Sequence, residues 1–292
     1  MMKPYELLRQ LRLERGLSQK ELAEGIVTRT TISNYETGKN NISLEVLLLL
    51  LEKLNLTIDE FTCYLKLDKV NNKNQQMNTL LEKSKHTALS CYSIAKFKPK
   101  TSNSKNMALI RDYLIIKANN WYSLSPEEQT LTKNDQRLLT ELMNHLDTVT
   151  NWGRFEMTTF SSLLFFFNTN YIHYHILEID KKIKNYPSFN IFQSIILALY
   201  NNSFLLMLER KEVTLAKEYL TKFHEHSKTM VFSREHLIVY LFYKNLILHI
   251  EGNEIGTTEI NKIFEALSLL DFQQMINEFK EDLKKFESLY LK

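Results

Sequence analysis

Breakers are scarce in this chain. Six glycines and four prolines among 292 residues leave long stretches with nothing to interrupt a helix, and an all-α architecture is the economical reading. Two cysteines, Cys63 and Cys91, are too few for a disulfide framework and show no metal-ligand spacing, which suits a reducing cytosol. Long apolar runs are also missing: Val46 to Leu51 and Leu163 to Phe167 are far shorter than a membrane span, and Met1 to Arg9 has no signal-peptide core, so a soluble cytoplasmic protein without membrane contact is expected. There is no glycine-rich phosphate loop and no recognisable nucleophile motif, so neither a catalytic residue nor a cofactor is assigned. His173 with His175, and His224 with His226, sit two apart on expected helices; each pair points to two faces rather than toward one metal. A net charge of only +3 names no partner by itself.

What is present is a dense signal at the N-terminus. A first helix from Pro4 to Arg15 puts Leu8 and Leu11 on one face, and Gly16 can stop it. Ser18 with Glu21 forms a capping box that starts a helix expected to run from Gln19 to Ile26, with Leu22, Ala23 and Ile26 inward. Gly25 permits a tight turn, Thr28 caps a third helix from Arg29 to Tyr35, and Ile32 and Tyr35 anchor it. With those two inward, Arg29, Thr30, Thr31, Ser33 and Asn34 occupy much of the outer surface, where they can meet base edges in a major groove. Ser43 caps a helix from Leu44 to Leu54, and Thr57 with Glu60 makes a second capping box.

Residues 66–105 follow, carrying nine lysines from Lys66 to Lys105 against only Asp68 and Glu82. They read as a basic linker with a first connecting helix around Leu80, Leu81 and Leu89. From Asn106 onward, nine segments have apolar residues at helical spacing: Asn106–Asn119, Asn134–Val149, Arg154–Phe167, Tyr171–Lys184, Asn190–Glu209, Thr214–His226, Arg234–Glu251, Thr258–Leu269 and Phe272–Leu289. Leu206 to Glu212 can be laid on Leu248 to Glu254, which implies a helical hairpin of about forty residues, as in solenoids. Stacked hairpins leave a groove that suits an extended or helical peptide. The expected organisation is therefore 1–65, 66–105 and 106–292.

The strings R-x-x-R-G-L-S-Q-K-E-L-A, T-R-T-T-I-S-N-Y-E-T-G-K and S-L-E-V-L resemble the Xre-type, lambda-repressor-like five-helix domain. That resemblance implies an internal ion pair of Arg12 with Glu36, phosphate contacts from Gln19 and Lys39, and base contacts from Arg29, Thr30 and Asn34. Arg9 and Arg15 are added as phosphate candidates. The turn Glu24 to Thr28 is one residue shorter than usual, which could shift the base-contact register. A short-turn helix-turn-helix ahead of an all-helical TPR-like α-solenoid, with Asn151-Trp152-Gly153-Arg154-Phe155-Glu156 and the aromatic run Phe165 to Phe167, resembles the Rgg/GadR/MutR regulators of Gram-positive bacteria. PlcR-like and ComR-like receptors share the layout. The resemblance implies a homodimer on a pseudo-palindromic operator in double-stranded DNA, controlled in quorum sensing by a short hydrophobic peptide pheromone, with RNA polymerase as a further candidate partner. For the peptide, the first helix of each hairpin is favoured: Arg154 for a carboxylate, Asn201 and Asn202 for its backbone, and Phe165, Tyr240 and Lys244 along the groove. The rival reading is a protein-interaction scaffold whose helix-turn-helix no longer senses anything.

Overall fold

The computed structural model describes residues 2–66, 106–121, 129–182, 190–228 and 234–291, and among the described residues every regular element is helical. The chain divides into two compact units, Met1–Glu82 and Lys83–Lys292. The lysine-rich connector from 67 onward lies outside the described residues, and with it the helix expected around Leu80 and Leu89, and Cys91.

The first unit contains α1 (Pro4–Glu14), α2 (Gln19–Ala23), α3 (Arg29–Glu36), α4 (Leu44–Lys53) and α5 (Ile58–Lys66). Their starts are fixed by the caps. Ser18 Oγ accepts the Glu21 N–H at 3.2 Å while the Glu21 carboxylate accepts the Ser18 N–H at 2.7 Å, and Thr57 with Glu60 repeats the arrangement. Thr28 and Ser43 cap α3 and α4 in the simpler way. One expectation needs correction: α2 ends at Ala23, three residues before Ile26. Glu24 leaves the helix with ψ near 124° and Gly25 takes φ +80°, so the N–H groups of Ile26 and Val27 both fold back onto the Ala23 carbonyl. Leu8, Leu22, Ile32, Leu50 and Phe61 are fully buried where the five helices meet, each contributing about 1.5–3 kcal/mol of apolar transfer.

The second unit contains α6 (Met107–Asn120), α7 (Lys133–Thr148), α8 (Arg154–Leu163), α9 (Thr169–Lys182), α10 (Asn190–Glu209), α11 (Val213–Ser227), α12 (Arg234–Ile250), α13 (Glu254–Leu269) and α14 (Gln273–Tyr290). Here α8 stops four residues earlier than expected. Residues Leu164–Phe166 tighten into a 3-10 turn, and the Arg210 guanidinium at the end of α10 donates to the carbonyls of Phe165 and Phe167 at 3.3 and 2.7 Å. The carbonyls released by the tightened turn thus find a cationic donor.

Alternate helices form two layers. In one, Asn202 of α10 reaches Ser161 of α8, Phe204 of α10 packs on Tyr243 of α12, and Phe242 of α12 stacks on Phe279 of α14 at 3.9 Å. In the other, Asp147 of α7 meets Tyr171 and His175 of α9, and α9 in turn meets α11 through His173 with Tyr219 and Asp180 with Lys222. Between the layers, Asp135 of α7 receives Tyr113 and Lys117 of α6. No helix among the described residues is long and apolar enough to cross a membrane.

The hairpin repeat is real in geometry, but its register differs by one from the alignment of Leu206 with Leu248. Helix α10 ends with Lys211 at φ +63°, whose N–H donates to Leu208 while Glu212 donates to Met207. Helix α12 ends with Gly252 at φ +81°, whose N–H donates to His249 while Asn253 donates to Leu248. Lys211 therefore corresponds to Gly252, and both close the same left-handed helix end.

Candidate nucleic-acid interface and repeat-unit surface

Helix α3 is held from beneath by Ile32 and Tyr35, which leaves Arg29 and Thr30 exposed and Thr31, Ser33 and Asn34 half-exposed. Thr31 Oγ1 lies 2.9 Å from Thr28 Oγ1, so the cap residue also orients the threonine. At the far end Asn34 accepts the backbone N–H of Lys39 at 2.8 Å through its main-chain carbonyl, a bond that does not engage its side-chain amide. The arrangement presents one guanidinium, small hydroxyls and one amide along eight residues, which are the groups that read guanine, thymine and adenine edges.

Behind that helix Arg12 and Glu36 form a two-pronged ion pair, Nε to Oε1 at 2.6 Å and Nη2 to Oε2 at 2.8 Å, with both side chains nearly sealed from solvent. Burial alone would push the Glu36 carboxyl up, but the hydrogen bonds from Arg12 and Gln19 outweigh it and hold it below its ordinary value. The pair ties α1 to the end of α3, while Arg12 Nη1 also donates to the Leu17 carbonyl. Gln19 enters the same cluster, its amide donating to Glu36 Oε2 at 2.9 Å. Of the four residues expected at phosphates, Arg9, Arg15 and Lys39 are exposed and Gln19 is held by Glu36; Arg15 also donates to the carbonyls of Leu54 at 2.7 Å and Leu11 at 3.2 Å. Arg15 therefore closes the carbonyl end of α4, a role that sequence spacing cannot reveal because 39 positions separate the two.

In the repeat unit the six peptide candidates fall on one layer, on α8, α10 and α12 and the turn after α8. Arg154 opens α8, exposed and without a side-chain partner among the described residues; Lys244 on α12 is likewise exposed. Exposed residues recur every third or fourth position on these helices, as Ser194, Ala198 and Asn202 on α10 and Leu237, Leu241 and Lys244 on α12. Asn201 is half-buried and Asn202 exposed. Tyr240 stacks face to face on His224 at 3.8 Å, and burial, with help from Lys228, keeps that imidazole below its ordinary pKa and so neutral. Phe165 is half-buried against Trp121 and Phe166.

The histidine pairs do divide between faces. His173 meets Tyr219 and His175 meets Asp147, while His224 stacks on Tyr240 and His226 approaches Tyr200. Among the described residues no group of three His, Cys, Asp or Glu could hold a metal. A cavity of about 530 Å³ between α7 and α9, lined by Asp147, Trp152, Tyr171, Tyr174 and His175 among others, was not expected. Trp152 within the Asn-Trp-Gly string and the two-apart histidines were the only local hints of it.

A reading helix set on a charged pivot, ahead of a two-layered array of helical hairpins, defines a helix-turn-helix regulator with an all-helical second part. Comparison with known proteins agrees. Residues 8–61 match the helix-turn-helix family, and residues 63–281 match the family described as "HTH-type transcriptional regulator Rgg, C-terminal domain". The chain belongs to the Rgg family of helix-turn-helix transcriptional regulators, a family of regulators rather than enzymes. Its fold is shared with a transcriptional regulator of Listeria monocytogenes EGD-e, at 21% identity and a TM-score of 0.72 over 98% of this chain and 97% of that one. It is shared equally with the Streptococcus dysgalactiae SHP pheromone receptor Rgg2, at 18% identity and a TM-score of 0.70 over 97% and 99%. A bacterial peptide pheromone/receptor complex matches at 17% identity and a TM-score of 0.73 over 98% and 99%.

Proposed function

We propose that this regulator is a homodimeric receptor for a short hydrophobic peptide pheromone, acting in the cytoplasm, with the peptide held on the α8, α10 and α12 layer. The observation that carries the reading is the combination on that layer of an exposed guanidinium, Arg154, with amides at Asn201 and Asn202 and a Leu237, Leu241 and Lys244 stripe. A guanidinium suits a terminal carboxylate, amides satisfy an extended backbone, and leucines cover apolar side chains. Support also comes from the similar proteins, two of which are described as a pheromone receptor and a pheromone/receptor complex. The DNA contacts are proposed on the first unit: Arg29, Thr30, Thr31, Ser33 and Asn34 to bases, Arg9, Arg15 and Lys39 to phosphates, and Gln19 to a phosphate through the amide hydrogen that Glu36 leaves free. Two copies place two reading helices about one helical turn apart on a pseudo-palindromic operator, and peptide binding shifts the balance between two states of the dimer, one competent for DNA or for RNA polymerase. We assign 1–65 to DNA binding, 66–105 to a basic connector, and 106–292 to peptide binding and dimerisation.

The test is genome-wide occupancy in the native host, comparing wild type with an Arg29→Ala/Thr30→Ala double variant, with cell-free culture medium added or withheld. Palindromic peaks that vanish in the double variant and transcripts that respond to the medium are expected. Peaks that persist in the double variant would remove the base-reading assignment, and transcripts indifferent to medium would remove the peptide.

A further inference from the structure

The cavity between α7 and α9 belongs to the layer opposite the one assigned to peptide. Its floor is built from residues that hold one another. The Trp152 indole N–H donates to the Leu146 carbonyl at 2.9 Å, and its ring stacks on His175 at 4.9 Å. His175 is only 6% exposed, burial keeps its imidazole neutral against the pull of Asp147, and its Nε2–H donates to Asp147 Oδ1 at 3.1 Å. The Tyr171 hydroxyl donates to the same oxygen at 2.9 Å. Asp147 thus receives two neutral donors on Oδ1, its side chain remains 49% exposed, and no cationic partner of it occurs among the described residues.

The other two charged groups in the wall are tied down, though only one of them is neutralised. Glu178 is paired with Lys181 at 2.6 Å, and the Lys182 ammonium is anchored on the Thr150 carbonyl at 2.7 Å, where it keeps its charge at the edge of the lining. What the cavity offers a visitor is the second oxygen of the Asp147 carboxylate, which takes no hydrogen bond among the described residues, the phenol ring of Tyr174, which is 59% exposed, and an apolar lining from Val149 and Ile179. At about 530 Å³ the space has the size of small-ligand pockets. A carboxylate beside aromatic faces favours a cation, because the negative ring faces and the carboxylate attract the same charge.

We infer that this cavity is a second binding site, one for a small organic ammonium ion with an apolar body, whose charged end meets Asp147 and whose body lies against Tyr174, Val149 and Ile179. An anion would face Asp147, and a neutral ligand would leave its charge unused.

The probe is phenethylamine, titrated against the full-length protein carrying Trp121→Phe so that Trp152 is the sole indole reporter. Its uncharged counterpart 2-phenylethanol and the anion 3-phenylpropanoate are run beside it. Saturable change with phenethylamine in the millimolar range or below, at least about tenfold weaker response to the alcohol, and none to the anion are expected. Asp147→Asn keeps an oxygen for Tyr171 and His175, and is expected to bring amine and alcohol to equal affinity. Tyr174→Ala alters a largely exposed side chain, leaves the fold intact, and is expected to weaken the amine severalfold. No saturable response to phenethylamine, equal response to alcohol and amine in the unsubstituted cavity, or unchanged amine binding in Tyr174→Ala would each overturn the site. That last variant keeps the proposal open to refutation even should Asp147→Asn unfold.

Discussion

Glu36 shows how much of the reading head rests on one side chain. It accepts from Arg12 twice and from Gln19 once, and through them it ties α1, α2 and α3 together. Replacing it with alanine leaves the Arg12 guanidinium buried without its counter-charge, a loss of about 3–5 kcal/mol for a severed buried pair. Urea unfolding of Glu36→Ala should show that loss, and a variant within about 1 kcal/mol of wild type would mean that water reaches Arg12. The pH dependence has a definite sign. The Glu36 carboxyl is held below its ordinary value in the fold, so its contribution is complete above its unfolded pKa, about 4.3, and disappears as pH falls through the folded value. The melting temperature of the first unit should therefore drop on acidification below about pH 4, and Glu36→Gln should flatten part of that drop. A wild-type protein whose first unit is as stable at pH 3 as at pH 7 would contradict the pair's role. Arg15 gives the complementary lesson, since an exposed arginine can also close a helix end that lacks a donor.

Two helix junctions in the second unit make opposite demands on the backbone. Lys211 sits at φ +63° where the equivalent position after α12 carries Gly252, and a left-handed conformation costs a lysine about 1–2 kcal/mol. Gly256, in the first turn of α13, has ordinary helical geometry, but a Cβ there would lie 2.5 Å from the His249 nitrogen and 2.6 Å from the Asn245 oxygen, both backbone. Lys211→Gly should thus raise the unfolding free energy of the unit, by up to about 1 kcal/mol once the entropy of glycine is set against the relieved strain. Gly256→Ala should lower it by about 1–3 kcal/mol, as overpacking does, by forcing α12 and α13 apart. Equal effects of the two substitutions would show that the junctions are not what separates them. These elements also mark what a sequence can and cannot disclose. Caps are local, so Ser18, Thr28, Ser43 and Thr57 announced their helices, and Asn190–Glu209 was legible to the residue. The repeat register was not, because lysine stands where glycine would have signalled the turn. The early end of α8 depends on Arg210, more than forty positions away, and Asp147 meets Tyr171 and His175 only across two helices. Contacts of that span leave no periodic trace, so the α7–α9 cavity came from folding rather than from any string of residues.

At the scale of the whole molecule, the proposed receptor joins two binding events, and thermodynamics constrains them without any knowledge of the path between the units. If peptide changes operator affinity by some factor, operator must change peptide affinity by the same factor. Measured on one preparation, the two ratios must agree, whether the peptide promotes DNA binding or releases it. Salt separates the contributions. Each phosphate contact that a cation makes steepens the fall of log K against log salt by about 0.9, so Arg9→Ala or Lys39→Ala, which removes one contact from each copy of the dimer, should make the operator slope shallower by about 1.8 while leaving the coupling ratio alone. Arg154→Ala should do the reverse: it lies in the repeat unit, so the salt slope of the peptide-free protein stays as in wild type, while peptide affinity falls and the coupling ratio shrinks toward one at fixed peptide concentration. An Arg154→Ala protein that still binds peptide and couples as wild type does would move the peptide away from the α8 end of the layer. A steep salt slope with a coupling ratio of one in the wild type would leave a regulator that reads DNA through α3 and answers to no peptide, because a ligand with equal affinity for both states shifts nothing.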